Sequence, residues 1–130
     1  MKFLFRNVKE LVELATTENK LISELMIEQE MLVTRRSRED IMKQMDTNLT
    51  VMEQAVEKGL KGVHSTSGLT GGDAVLLHNY MKKGNTLSGA LLIDAVSKAV
   101  ATNEVNAAMG TICATPTACS AGVLPGTLFA

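Results

Sequence analysis

Apolar residues recur at helical spacing through most of the first sixty positions of the chain. Val8, Leu11, Val12 and Ala15 are spaced to make one face of an amphipathic helix. Asn7 stands just ahead of them with Glu10 three positions on, the pattern of an N-cap with an acidic partner. A second helix is expected over about Lys20 to Thr34, with Leu21, Leu25, Ile27 or Glu28, and Met31 or Leu32 near one side. The third is the clearest. Ser37 with Asp40 gives the cap, and Ile41, Met42, Met45, Leu49, Met52, Val56 and Leu60 keep the period. Gly59 and Gly62 are expected to end it.

After residue 62 the composition shifts, and Gly, Ser, Thr, Ala and Asn replace charged residues. The segment from His64 to Asp73 is a glycine- and hydroxyl-rich loop that leads into a helix of about Asp73 to Lys83, stopped by Gly84. Another helix is expected from about Ser88 to Ala108, carrying Leu91, Leu92, Ala95, Val96, Ala99 and Val100. Its alanines permit close helix–helix approach. A polar loop with two prolines covers Gly110 to Pro125, and a further apolar helix starts near Gly122. The pattern divides the chain into an N-terminal helical block, 1–62, and a second helical region, 63–130. The architecture is all-α, about five helices joined by polar glycine-rich loops. The apolar stretch after Gly126 has nothing to close it, so the second region is expected to be incomplete.

Composition narrows the function classes. Hydrophobic residues make up 45% of the 130, enough for one real core. There is no Trp, one Tyr and three Phe, while the eight Met suit gap-filling between packed helices. A net charge of −1 is not a nucleic-acid footprint. The alternating charges of Arg35, Arg36, Arg38, Glu39 and Asp40 read as a solvated helix face. The opening residues lack the apolar run and cleavage site of a signal peptide, and no window approaches a membrane span. The sequon at Asn48 falls inside a helix and reads as chance. Two cysteines make no disulfide framework, so reduced thiols in a cytoplasmic protein are expected.

Individual motifs leave the chemistry open. Gly71 and Gly72 before Asp73 allow a tight turn with Asp73 as helix cap, or present N–H groups to an anion such as a carboxylate. A nucleotide phosphate loop is disfavoured, because no Lys-Ser/Thr follows. His64 opens the polar loop, whereas His78 sits beside Leu76 and Leu77 and reads as structural. Neither has a partner at zinc-ligand spacing. Cys113 and Cys119 are separated by five intervening residues, unlike the two of ferredoxin-type or zinc motifs. Thr115-Pro116-Thr117 is a rigid turn showing two hydroxyls beside Cys113, compatible with an iron–sulfur site holding a polar substrate or with a plain turn.

The stretch from Asn103 to Thr117, with Ser120 to Gly126 after it, resembles the catalytic signature of bacterial iron–sulfur L-serine dehydratases. Ser67-Gly-Leu-Thr-Gly-Gly-Asp73 resembles a second motif of that family. Phe5-Arg-Asn-Val-Lys-Glu-Leu, Met26-Ile-Glu-Gln-Glu-Met31 and Gly59-Leu-Lys-Gly-Val63 resemble the start of the α chain in its two-subunit form. The likeness runs the whole length.

The resemblance implies a lyase that converts L-serine to pyruvate and ammonia, with a [4Fe–4S] cluster and no pyridoxal phosphate. One iron without a permanent thiolate would act as a Lewis acid on the serine hydroxyl. It makes Cys113 a cluster ligand. At Cys119 the family pattern has glycine, and single-chain relatives carry a cysteine at the position of Ala121, so Cys119 is either a displaced ligand or a neutral substitution. Thr115, Thr117, Ser120 and Asn106 become candidates for substrate contacts, and Gly71 and Gly72 for the serine carboxylate. The base is left unassigned. The family's α chain continues for roughly as long again and works with a β subunit, in an oligomer, with further cysteines beyond this segment. Two thiols do not hold such a cluster in the usual way, so the 130 residues are expected to be inactive alone. The rival reading is a helical module that docks a partner subunit through residues 1–62. A pyridoxal-phosphate enzyme is disfavoured because Lys82 and Lys83 lie at a helix end.

Overall fold

The computed structural model describes residues 3–130. Six α-helices and one 3-10 turn follow one another: α1 (Val8–Glu18), α2 (Ile22–Thr34), α3 (Arg38–Leu60), α4 (Asp73–Lys82), α5 (Ala90–Ala107), the turn Ala118–Ser120, and α6 (Val123–Leu128). The described residues contain no strand, only an isolated antiparallel bridge between His64 and Gly71. The fold is all-α, and α6 is the apolar helix expected near Gly122. The chain forms two compact units, Met1–Thr47 and Asn48–Ala130.

In the first unit, Asn7 caps α1 as its spacing predicts. Asn7 Oδ1 accepts from the Glu10 N–H at 2.9 Å, and the Glu10 carboxylate accepts from the Asn7 side-chain amide and from the Arg6 N–H, both at 2.8 Å. The helix ends on Asn19 in the left-handed region, φ 51°. Its buried side differs from the expected face. Leu11, Leu14 and Ala15 are half-buried, whereas Val8 and Val12 are exposed. The 11–14–15 side is the covered one, and the 8–12 edge is left uncovered. Leu25, Phe5 and Ile41 are buried. The Gln29 side chain straps the segment ahead of α1, accepting from the Leu4 N–H at 2.7 Å and donating to the Phe5 carbonyl at 3.0 Å. Ser37 Oγ accepts from the Asp40 N–H at 3.1 Å and donates to the Asp40 carboxylate at 2.7 Å, so the predicted cap of α3 is present.

The second unit is organised on α5, which packs against both α4 and α6. Small residues set these approaches. A Cβ on Gly122 would lie 2.3 Å from the Ala99 carbonyl oxygen, and one on Gly126 would lie 2.7 Å from that of Ala95. Gly59 does the same for α3, where a Cβ would sit 2.3 Å from the Ala101 carbonyl oxygen. Gly59 is therefore a contact inside α3 and not its stop. The stop is Gly62, whose φ of 96° no helix continues. Met52, Ala55, Val56, Ala74, Ala101, Val105 and Ala121 are the buried apolar residues here. Met fills the core less than its abundance suggests. Met52 is buried, but Met26, Met42, Met45 and Met109 are exposed, because the sides of the chain that carry them are uncovered.

Candidate functional site

The C-terminal half of α5 reaches two loops. Glu104 is 3% exposed, and its Oε1 accepts from the N–H groups of Asp73 at 2.7 Å and Ala74 at 3.3 Å. Two residues further on, the Asn106 amide donates to the Ala118 carbonyl at 3.4 Å. One contact holds the glycine loop and the other the cysteine loop.

In the glycine loop, Gly71 and Gly72 take φ values of 134° and 92°, open to glycine alone among common residues. A Cβ on Gly71 would meet the Val63 carbonyl oxygen at 2.1 Å, and one on Gly72 would meet the His64 ring at 3.2 Å. The loop closes on itself through Ser65 N–H to the Thr70 carbonyl at 2.8 Å and the Thr70 N–H to Ser65 Oγ at 3.2 Å. Asp73 does not cap α4 as the sequence suggests. Gly72 is the N-cap, without a side chain to offer, and Asp73 is the first helical residue. The capping carboxylate comes from Glu104, where a negative group gains from the helix dipole. Sequence reasoning missed this residue. Its signal was a carboxylate within the stripe of α5 that also carries Ser97, Ala101 and Val105, all buried.

The cysteine loop turns on a cis peptide between Thr115 and Pro116. Thr117 caps the 3-10 turn and shares a reciprocal capping box with Ser120. Ser120 Oγ gives its proton to the Thr115 carbonyl at 2.9 Å. The 2.9 Å contact between Thr117 Oγ1 and Ser120 Oγ then carries the threonine's proton. Both hydroxyls are engaged in holding the turn. Thr115 Oγ1 is different, since it is buried without a hydrogen-bond partner. Cys113 is half-buried, while Cys119 is exposed on the 3-10 turn.

The predicted site residues thus fall into two groups. Thr115, Thr117, Ser120 and Asn106 meet around one turn, with Cys119 on it and Cys113 leading into it. Gly71 and Gly72 lie in the other loop, with His64 against them. His78, in α4, keeps a buried Nδ1 without a partner. A depression of about 500 Å³ beside the start of α4 is lined by Asp73, Leu76, Leu77, Tyr80 and Val100, and is mostly apolar. A smaller one of about 180 Å³ lies between Val51, Gln54, Ala55, Lys58 and Thr111, at the foot of the cysteine loop.

These residues do not by themselves fit a cubane iron–sulfur cluster. Such a cluster is held by four thiolates in the usual case, and the chain has two cysteines. No group of three or more His, Cys, Asp and Glu is placed to hold a metal ion among the described residues. Nor is any helix among them long and apolar enough to cross a membrane.

Comparison with known proteins places the chain in a family. Residues 17–130 match the family model described as serine dehydratase alpha chain. A Bacillus subtilis (strain 168) protein named "Probable L-serine dehydratase, alpha chain" is 68% identical over 127 residues, which is 98% of this chain and 42% of that protein. The "L-serine dehydratase, alpha chain" of Peptoniphilus asaccharolyticus is 30% identical over 128 residues, covering 98% of this chain and 44% of the relative. The chain therefore spans less than half the length of either. No solved structure matches it at a significant level.

Proposed function

The chain belongs to the serine dehydratase alpha chain family, and from that premise we propose that it supplies part of the substrate site of an L-serine dehydratase, which converts L-serine to pyruvate and ammonia with a β chain as partner. The observation that carries this reading is the pairing of two family-like loops on one helix, through Glu104 to Asp73 and Asn106 to Ala118. Loss of water from serine needs a small polar site that grips the carboxylate and the hydroxyl while excluding bulk water. Gly71 and Gly72 are the candidates for the carboxylate through the turn itself, because Glu104 already takes the first N–H groups of α4. Thr115 is the candidate for the serine hydroxyl, because its Oγ1, though buried, has no hydrogen-bond partner. Thr117, Ser120 and Asn106 hold the turn that carries it.

The family's [4Fe–4S] cluster is part of this proposal, with Cys113 as the half-buried candidate ligand and Cys119 as an exposed second. The remaining thiols would come from the longer part of the relatives that these residues do not cover, so the segment alone is expected to release no pyruvate. Pyridoxal phosphate has no role in the reading. The first unit suits subunit docking, because Val8, Val12, Leu21, Ile22 and Met26 are exposed apolar residues on its surface. A cytoplasmic setting agrees with thiols that must stay reduced.

The test is anaerobic reconstitution, with iron and sulfide, of a complete α chain carrying this segment together with its β chain. Oxygen-labile visible absorption that Cys113→Ala removes is the expected result. A colourless protein, under conditions that reconstitute a known relative, would overturn the cluster reading and leave a docking module.

A further inference from the structure

Helix α4 starts without a cap of its own, because its N-cap is Gly72. A serine or asparagine there would be the ordinary solution, turning its side chain back onto the first N–H groups. That solution is blocked on two counts. Gly72 has a φ of 92°, where a side chain is strained, and a Cβ there would crowd the His64 ring at 3.2 Å. The capping group is displaced onto another helix, where Glu104 supplies it from 31 residues away in sequence.

The choice of a carboxylate is costly unless it does more than cap. Glu104 is 97% buried by its 3% exposure, and its Oε2 has no hydrogen-bond partner. Burying a charge opposes folding unless close polar contacts compensate. Two N–H groups at a positive helix end do compensate, and they form bonds stronger than those of a neutral acceptor. They also fix direction. Oε1 bridges consecutive N–H groups, so neither the Gly72–Asp73 nor the Asp73–Ala74 peptide can rotate without breaking one of the bonds.

We infer that Glu104 is a positioning residue, tying the Gly71–Gly72–Asp73 turn and the His64 ring that rests on it to α5, in register with the cysteine loop held by Asn106. The inference rests on the dehydratase reading in so far as the turn forms part of the serine site. Glu104 acts through the turn and is not assigned contact with substrate.

Three variants in the complete α chain with its β chain test it. Glu104→Ala removes the carboxylate. Glu104→Asp keeps the charge but withdraws it by one carbon, with less disturbance of packing. Glu104→Gln keeps an acceptor in place. Amide exchange at Asp73 and Ala74 is read alongside kcat and KM for L-serine, with the visible absorption of the cluster as a control. The expected result for Glu104→Ala and Glu104→Asp is exchange at both amides faster by at least about tenfold, the equivalent of one charge-assisted bond. A drop in kcat/KM of similar size should accompany it while the absorption stays unchanged. Glu104→Gln, which keeps a neutral acceptor in place, is expected to fall between the wild type and Glu104→Ala in both. Should Glu104→Ala fail to fold, Glu104→Asp decides alone. Unchanged exchange in Glu104→Asp would overturn the tie. Faster exchange with kcat/KM within about twofold of wild type would show a merely structural cap and overturn the positioning role. A wild type that makes no pyruvate would instead sink the dehydratase reading, and exchange would still decide whether Glu104 holds the turn.

Discussion

A Cβ on Gly59 would sit 2.3 Å from the carbonyl oxygen of Ala101, so α3 and α5 touch backbone to backbone. Neither residue has a side chain large enough to keep the helices apart, and the obstacle to any larger residue is main chain, which cannot rotate away. Gly59→Ala is expected to destabilise the protein by about 1–3 kcal/mol or more through overpacking. The gain in intrinsic helix propensity, about 1 kcal/mol, opposes this without cancelling it. Chemical denaturation with the slope held constant measures the difference.

The same geometry recurs where α6 lies on α5. Gly126→Ala would press a methyl group to 2.8 Å from the Ala99 Cβ as well as against the Ala95 carbonyl. Loss of α6 docking is expected, at a cost of about 1–3 kcal/mol. Faster amide exchange in α6 than in α4 would report it.

Ser120→Ala removes the donor to the Thr115 carbonyl and one side of the capping box. A net loss of about 0.5–1.5 kcal/mol per bond is expected. In the complete enzyme the effect should fall on kcat/KM for L-serine more than on thermal midpoint, since the turn is a surface loop. Equal kinetics in the variant and wild type would argue that the turn lies outside the site.

In the first unit, the hydrogen bond from Arg38 holds the Glu24 carboxyl below its ordinary value of 4.5, aided by the charge of the guanidinium. Bonds from the Ser37 hydroxyl and N–H likewise lower Asp40 from 3.8. A carboxyl with a lowered folded pKa contributes stability that is fully present above its unfolded pKa. That contribution is lost as pH falls through the folded value. The stabilising difference between wild type and Glu24→Gln should therefore be constant near neutrality and vanish as pH drops well below 4.5. Both groups are exposed, so added salt should shrink the difference too. Thermal midpoints across a pH series, at two salt concentrations, check it.

Helix positions were legible because their caps are local. Asn7 with Glu10 and Ser37 with Asp40 each close within four residues, and both form as their spacing predicts. What was not legible depends on partners far away in the chain. Gly59 looks like a helix stop until Ala101 is seen against it, and Asp73 looks like a cap until Glu104 is found occupying that role. The loop hydroxyls show the same limit. Thr115, Thr117 and Ser120 are equivalent in sequence, yet folding engages two of them with each other and leaves the Thr115 hydroxyl without a partner.

The central claim, that this segment serves as the corresponding part of an L-serine dehydratase α chain, is tested most directly by exchange. The segment would replace the matching 127 residues of the Bacillus subtilis relative, co-produced with that protein's β partner under anaerobic conditions, and pyruvate release from L-serine would be measured against the unexchanged assembly. A rate within about tenfold of the parent is expected, because a shift of that size is only about 1.4 kcal/mol in barrier. A folded, assembled hybrid that releases no pyruvate while its parent does would contradict it.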